Sequence, residues 1–219
     1  VNKLAPLAFS QVLAWLAVTK IHEAMVVELK PAEATGYSVA LIVGVVGFSL
    51  LVLFMVKQGL VRVISVFGYL ALFFMNLSGF SILASSLPVE NPLLVALAAS
   101  AALTIASTLK GVGDVVKCLG AGVFAACLAT CFGSTFPVVL LALLSVYDVW
   151  AVYRGPIKEV ISEENSRDYK KGFLKPLTVK LGDVEMGIGD VLAYACMVSL
   201  TIKNVGFPML VIPIGFMYA

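Results

Sequence analysis

Two aspartates in this chain stand where an ionised carboxylate is costly. Asp190 follows Gly187-Ile188-Gly189 and precedes VLAYACMVSLTI, residues 191 to 202, which carry no charge. Asp148 is the only charge in FPVVLLALLSVYDVWAVY, residues 136 to 153. A carboxylate in such surroundings costs kilocalories unless it is paired, protonated or wetted. Two such acids on consecutive apolar helices make a candidate site. Facing one another in low dielectric they do not both ionise cheaply, so they share a proton and titrate as a unit. That condition suits peptide hydrolysis. The anionic acid takes a proton from water attacking a peptide carbonyl; the protonated acid stabilises the developing oxyanion and then supplies a proton to the leaving amine. Which aspartate plays which part stays open. Glycine before Asp190 lets an extended peptide approach the acid without meeting a Cβ.

Other chemistries lack their residues. His22 is the only histidine, and Val26 stands where the metalloprotease helix pattern needs its second one, so that zinc site and any Ser-His or Cys-His pair are unsupported. Cys118, Cys127, Cys131 and Cys196 lie inside apolar runs and read as core packing, with no disulfide, metal or other cofactor expected. A second Gly-x-Gly-Asp, residues 111 to 114, ends in Asp114 between Lys110 and Lys117. That places Asp114 at headgroup level, where a carboxylate is hydrated.

The elements that position the two acids are membrane helices. The chain has 219 residues, 61% hydrophobic and 13% charged, with a mean hydropathy of +1.03. A soluble domain of ordinary composition does not reach such values. Apolar runs cover residues 4 to 21, 36 to 56, 60 to 83, 92 to 109, 118 to 132, 136 to 153 and 187 to 202, and an eighth starts near Val205 and stops at Ala219. The expected fold is all-α, a polytopic helical membrane protein with seven complete spans and a truncated eighth. Val1 in place of Met suggests that the start is missing as well. Residues 1–135 would hold five N-terminal spans, and 136–219 the catalytic helices with a polar connection, 154–186.

Placing the loops alternately puts Lys3, Lys57, Arg62, Lys110, Lys117, Arg154, Lys158, Arg167, Lys170, Lys171, Lys175 and Lys180 on one side, leaving Lys20, Lys30 and Lys203 on the other. The basic side is cytoplasmic. The charges form no basic face for nucleic acid, and the partners expected are lipid and transmembrane-helix protein substrates, with the oligomeric state undetermined. At about 1.5 Å per helical residue, Asp148 lies roughly 9 Å inward from Arg154 and Asp190 roughly 20 Å from Lys203. In a core of about 30 Å the second distance leaves Asp190 roughly 10 Å below the cytoplasmic surface. The depths agree, and both acids lie toward the cytoplasmic side.

Smaller features complete the sequence picture. The Ala- and Ser-rich fourth run is expected to be interior. Asn76 is expected to act as an interhelical hydrogen-bonding contact, and His22, Glu23, Glu28 and Glu33 to form a solvated outer loop. In KPLTVKLGDVEMG, residues 175 to 187, Thr178 to Leu181 and Val184 to Met186 alternate around Gly182-Asp183 as a short hairpin would. A strand beside Asp190 could unwind a helical substrate by edge pairing. The charge-dense stretch SEENSRDYKK, residues 162 to 171, reads as disordered.

Taken together, Tyr147-Asp148 in one helix and Gly187-Ile188-Gly189-Asp190 opening the next resemble the intramembrane aspartyl proteases, the presenilin and signal peptide peptidase family. Archaeal presenilin-like proteins are the nearest in kind, with Tyr153-Arg154 ending the first catalytic helix in their manner. The resemblance covers residues 136 to 202. It implies Asp148 and Asp190 as catalytic dyad, Tyr147, Gly187, Ile188 and Gly189 as supporting or substrate-binding residues, and the cell membrane of an archaeon as location. The family's Pro-Ala-Leu motif is not in this sequence, and Pro213-Ile214-Gly215 does not replace it. Signal peptide peptidases carry similar motifs in the opposite orientation, against which seven of fifteen basic residues follow Asp148 in one loop. A proton- or cation-coupled transporter or channel using the same two carboxylates is the alternative from a different class.

Overall fold

A computed structural model describes residues 12, 16, 17, 30–132, 134–153, 174–181 and 184–205. The first apolar run apart from three positions, the loop at His22, Glu23 and Glu28, the disordered stretch expected at 162 to 171, the Gly182-Asp183 turn and the eighth run lie outside the described residues. Six helices and one two-stranded sheet are delimited among them.

Helix α1, Pro31–Lys57, starts five residues before its apolar run. Pro31 suits the first helical position, where no donor is lost, and the Glu33 carboxylate accepts the Lys30 backbone N–H at 3.2 Å. Glu33 is therefore part of a helix and not of an outer loop. The turn after α1 is closed by Gly59 at φ 77°, a left-handed conformation cheap only for glycine. Helix α2 covers Val61–Ser85, and α3 covers Pro92–Ala106. Helix α3 stops short of the expected residue 109 because hydroxyls take over its last carbonyls: Ser107 Oγ donates to Thr104 O and Thr108 Oγ1 to Ile105 O, each at 2.7 Å. Helix α4, Gly113–Cys131, begins five residues earlier than expected and so encloses Asp114 and Lys117. Helix α5 is Thr135–Tyr153 and α6 is Ile188–Val205.

Among the described residues three helices, α1, α2 from Arg62 and α4, are long and apolar enough to cross a membrane. Helix α3, at 15 residues, rises only about 22 Å against a core of about 30 Å. The fourth apolar run overshoots the end of α3 because composition does not register where hydroxyls terminate the backbone ladder. The membrane character of the chain rests on those three helices and on its exposed apolar surface.

The described residues belong to two compact units, and the chain passes from the first to the second between Ser134 and Thr135. In the first unit (Tyr69–Ser134 and the segment from Leu177), α4 is the interior element. Gly120, Ala121, Gly122, Ala125, Ala126 and Ala129 let neighbours approach its backbone. Gly79 of α2 is one such neighbour: a Cβ there would lie 3.2 Å from the Phe124 backbone, and the Cys127 thiol donates to Gly79 O at 3.4 Å. Helix α3 buries Ala96 and Ser100 but exposes Leu93, Leu94, Leu97 and Ile105. The interior position expected of the fourth run thus belongs to the fifth, whose small residues are not confined to one stripe.

Helices α4 and α6 run parallel. Cys118 and Ala121 of α4 cluster with Val191 of α6 at one end, and at the other Lys203 Nζ donates to Ala129 O at 3.0 Å and Thr130 O at 3.1 Å. A cation on the C-terminal carbonyls of a helix is favoured by the macrodipole.

In the second unit (Leu29–Gly68 and Thr135–Pro176), α1 and α5 also run parallel. Ser38 Oγ donates to Phe136 O at 3.4 Å and Ser49 Oγ shares a 2.6 Å hydrogen bond with Tyr147 Oη. Val52, Met55, Val56 and Ile64 form its small core, with Leu174 packed on it. Leu41, Val43, Phe48, Leu50, Leu51 and Phe54 are left exposed along α1, an apolar surface of the kind lipid covers.

Candidate active site

The hairpin forms where the alternation places it. Strands β1, Thr178–Leu181, and β2, Val184–Gly187, pair antiparallel, with Thr178 opposite Gly187, Val179 opposite Met186 and Lys180 opposite Glu185. The second strand extends one residue past the expected Met186. Val179 is fully buried and, with Met186 and Ile188, joins the α4–α6 cluster. Lys180 and Glu185, of opposite charge, are exposed across the ladder, a favourable cross-strand pair. Thr178 Oγ1 adds a 2.8 Å hydrogen bond to Glu185 Oε1. A short sheet that buries one face and charges the other has its register specified.

Strand β2 passes into α6 without a linker, Gly187 ending the strand and Ile188 opening the helix. Asp190 therefore lies in the first turn of α6, where a negative charge is favoured by the helix dipole. A Cβ on Gly187 would lie 3.4 Å from Asp190 Oδ2, so the carboxylate folds back over the strand end. A Cβ on Gly189 would meet nothing within 4 Å. Neither glycine has a positive φ. They leave space beside the acid; they do not relieve backbone strain.

Asp190 is exposed within the first unit, and Asp148 within the second. Neither carboxylate is buried by the packing of its own unit, although both are flanked by apolar sequence. The adjacent Tyr147 is buried on the α1 side of α5, where its hydroxyl meets Ser49, and its ring lies 6.0 Å from that of Trp150. Tyr147 holds α5 to α1 while the next residue presents an acid at the surface.

The two Gly-x-Gly-Asp segments differ in structure. At 111 to 114, Gly111 has φ 85° and forms a turn, and a Cβ on Gly113 would run into Ser107 O. Asp114 is not simply hydrated: its Oδ1 accepts Lys117 Nζ at 3.0 Å. Lys117 itself is buried and donates a 2.6 Å hydrogen bond to Thr178 O of β1. The charge pattern of the sequence groups this lysine with the loop charges, although Asp114 three residues before it has the spacing of a helical ion pair.

Asn76 is buried in α2 facing Gly120 of α4, where a Cβ would collide with its Oδ1, and that oxygen has no hydrogen-bond partner among the described residues. The expected hydrogen-bonding bridge through this atom is not made. All four cysteines are free and buried.

No family model, curated protein or solved structure matches the chain.

Proposed function

We propose that the protein is an intramembrane aspartic endopeptidase that hydrolyses peptide bonds within transmembrane segments of substrate proteins, with Asp148 and Asp190 as catalytic dyad and water as nucleophile. The observation that carries this reading is the junction of β2 and α6: an extended strand runs directly into the helix whose first turn presents Asp190, beside a glycine with open space around it. A protease must hold its substrate extended, because a helix ties up the scissile amide in backbone hydrogen bonds. A two-stranded sheet has an outer edge that a third, substrate strand can join, and pairing there lays the peptide next to the carboxylate.

The full reading has seven spans, the remaining apolar runs supplying those beyond the three long helices. The dyad then faces the cytoplasmic side of a cell membrane, with Tyr147, Gly187, Ile188 and Gly189 supporting it. Non-helical backbone at membrane depth is tolerated where it is buried in protein or lines a wet cavity. The packing of Val179 and Met186 against α4 meets the first requirement on one face. Water reaches the acids from the other.

The test is cleavage of a tagged single-span substrate by the full chain in micelles. Asp148→Ala and Asp190→Ala are each expected to abolish cleavage, and Asp114→Ala to leave it measurable. Loss in Asp114→Ala with retention in Asp190→Ala would mean that the other Gly-x-Gly-Asp is the catalytic one. If the wild type cleaves nothing but carries protons into liposomes in an Asp190-dependent way, the relay alternative replaces the protease.

A further inference from the structure

Lys117 has 2% of its side chain exposed. A buried ammonium is expensive unless its donors and its charge are met. Asp114 meets the charge at 3.0 Å, and the carbonyl of Thr178 takes a donor at 2.6 Å. Thr178 is not an arbitrary acceptor. It is the first residue of β1 and stands opposite Gly187, the last residue of β2. Gly187 in turn lies under the Asp190 carboxylate, and α6 starts at the next residue. Lysine, carbonyl, ladder rung, glycine and carboxylate follow one another in short steps within a single compact unit.

We propose that Lys117 is a positioning residue for Asp190. Its ammonium clamps the Thr178 carbonyl to α4 and, through the Thr178–Gly187 rung, fixes the height and rotation at which α6 begins, and with them the direction of the Asp190 carboxylate. Asp114 neutralises and orients the clamp, so the first Gly-x-Gly-Asp serves the second. The proposal rests on reading Asp190 as a catalytic residue, and its test separates the two claims. The hairpin is only four residues per strand, and a two-stranded ribbon of that size is marginal without an outside anchor. Packing of Val179 supplies part of the anchor. Packing alone leaves the sheet free to slide along an apolar face, whereas a charge-assisted hydrogen bond to one named carbonyl is directional.

Two measurements on the full chain in micelles test this for wild type, Lys117→Met and Lys117→Arg: amide hydrogen exchange over residues 175 to 192, and steady-state cleavage of a single-span substrate. In Lys117→Met the strand amides are expected to exchange at least tenfold faster, with α1 and α5 unchanged. The expected kinetic signature is a kcat at least tenfold lower with KM within twofold, since orientation of the acid is lost and substrate binding is not. Lys117→Arg keeps a cationic donor and is expected to recover most of both effects. Should Lys117→Met not be recovered folded, Lys117→Gln, uncharged and shorter, is held to the same expectations. Strand exchange equal to wild type overturns the clamp, whatever the activity. Faster exchange with unchanged kcat, or a rise in KM that accounts for the loss, overturns the positioning of Asp190. A wild type that cleaves nothing while its strands loosen in Lys117→Met overturns the protease and leaves the clamp standing.

Discussion

Single residues in this protein take their roles from which way their helix turns them. Tyr147 and Asp148 are neighbours in sequence, yet one is buried against Ser49 and the other is exposed. The aspartates were legible because charge is rare in apolar sequence. Lys117 was not, because a lysine at the edge of an apolar run looks the same whether it faces water or a strand sixty-one residues away. Asn76 and Gly120 were equally hidden, since their meeting depends on the register of two helices. Gly120→Ala is expected to lower the melting temperature, overpacking of a filled site costing about 1–3 kcal/mol. Adding Asn76→Ala is expected to restore most of the loss, because it removes both the obstruction and the unsatisfied oxygen. Equal melting of Gly120→Ala and wild type in detergent would show that the two residues do not meet. Activity is expected to follow a bell-shaped pH profile. In the dyad proposed above one proton is shared, so the rate would fall on the acid side as a second proton binds and on the alkaline side as the last one leaves. A profile that is flat from acid to alkaline conditions would exclude a shared proton.

At the scale of elements, the hairpin was readable from period-2 alternation in seven residues, and the structure extends it only by Gly187. Helix boundaries were less readable. Helix α4 begins before its apolar run because Gly111 turns the chain and Gly113 fits against Ser107, details of backbone and not of hydropathy. Length separated the apolar runs from helices that cross: α3 loses its last turn to two hydroxyls. The part in catalysis proposed for the hairpin is tested by Val179→Pro and Val184→Pro. Each deletes a backbone donor from a four-residue strand, and cleavage is expected to slow by tenfold or more while Asp148 and Asp190 stay in place. Wild-type rates in both variants, with folding confirmed, would return the segment to the status of a connecting loop.

For the whole molecule, the apolar surface of α1 and the long helices α2 and α4 describe a chain built for lipid, and hydrolysis inside lipid requires a water route. Cysteine introduced at the exposed Gly189 is expected to react with a small aqueous thiol reagent added from the side that carries the hairpin. Because Cys118, Cys127, Cys131 and Cys196 are buried, little background labelling is expected in the folded protein. An unreactive position in a protein that cleaves substrate would rule out that route.

The paired lysines of α4 and α6 carry one more consequence. Lys117 fastens the start of α4 to the strand below Asp190, and Lys203 fastens the end of α6 to the Ala129 and Thr130 carbonyls. The intervals from residue 117 to 130 and from 190 to 203 are the same length in sequence, about 20 Å of helix rise each. The two helices are thus gauged against each other. One inserted residue in either would advance everything beyond it by about 1.5 Å and turn it by about 100°, and one of the two lysines would lose its carbonyls. Substitution along this seam is a matter of fit, but the count of residues between its fastenings is fixed, and only matched insertions of whole turns in both helices would keep the two ends closed.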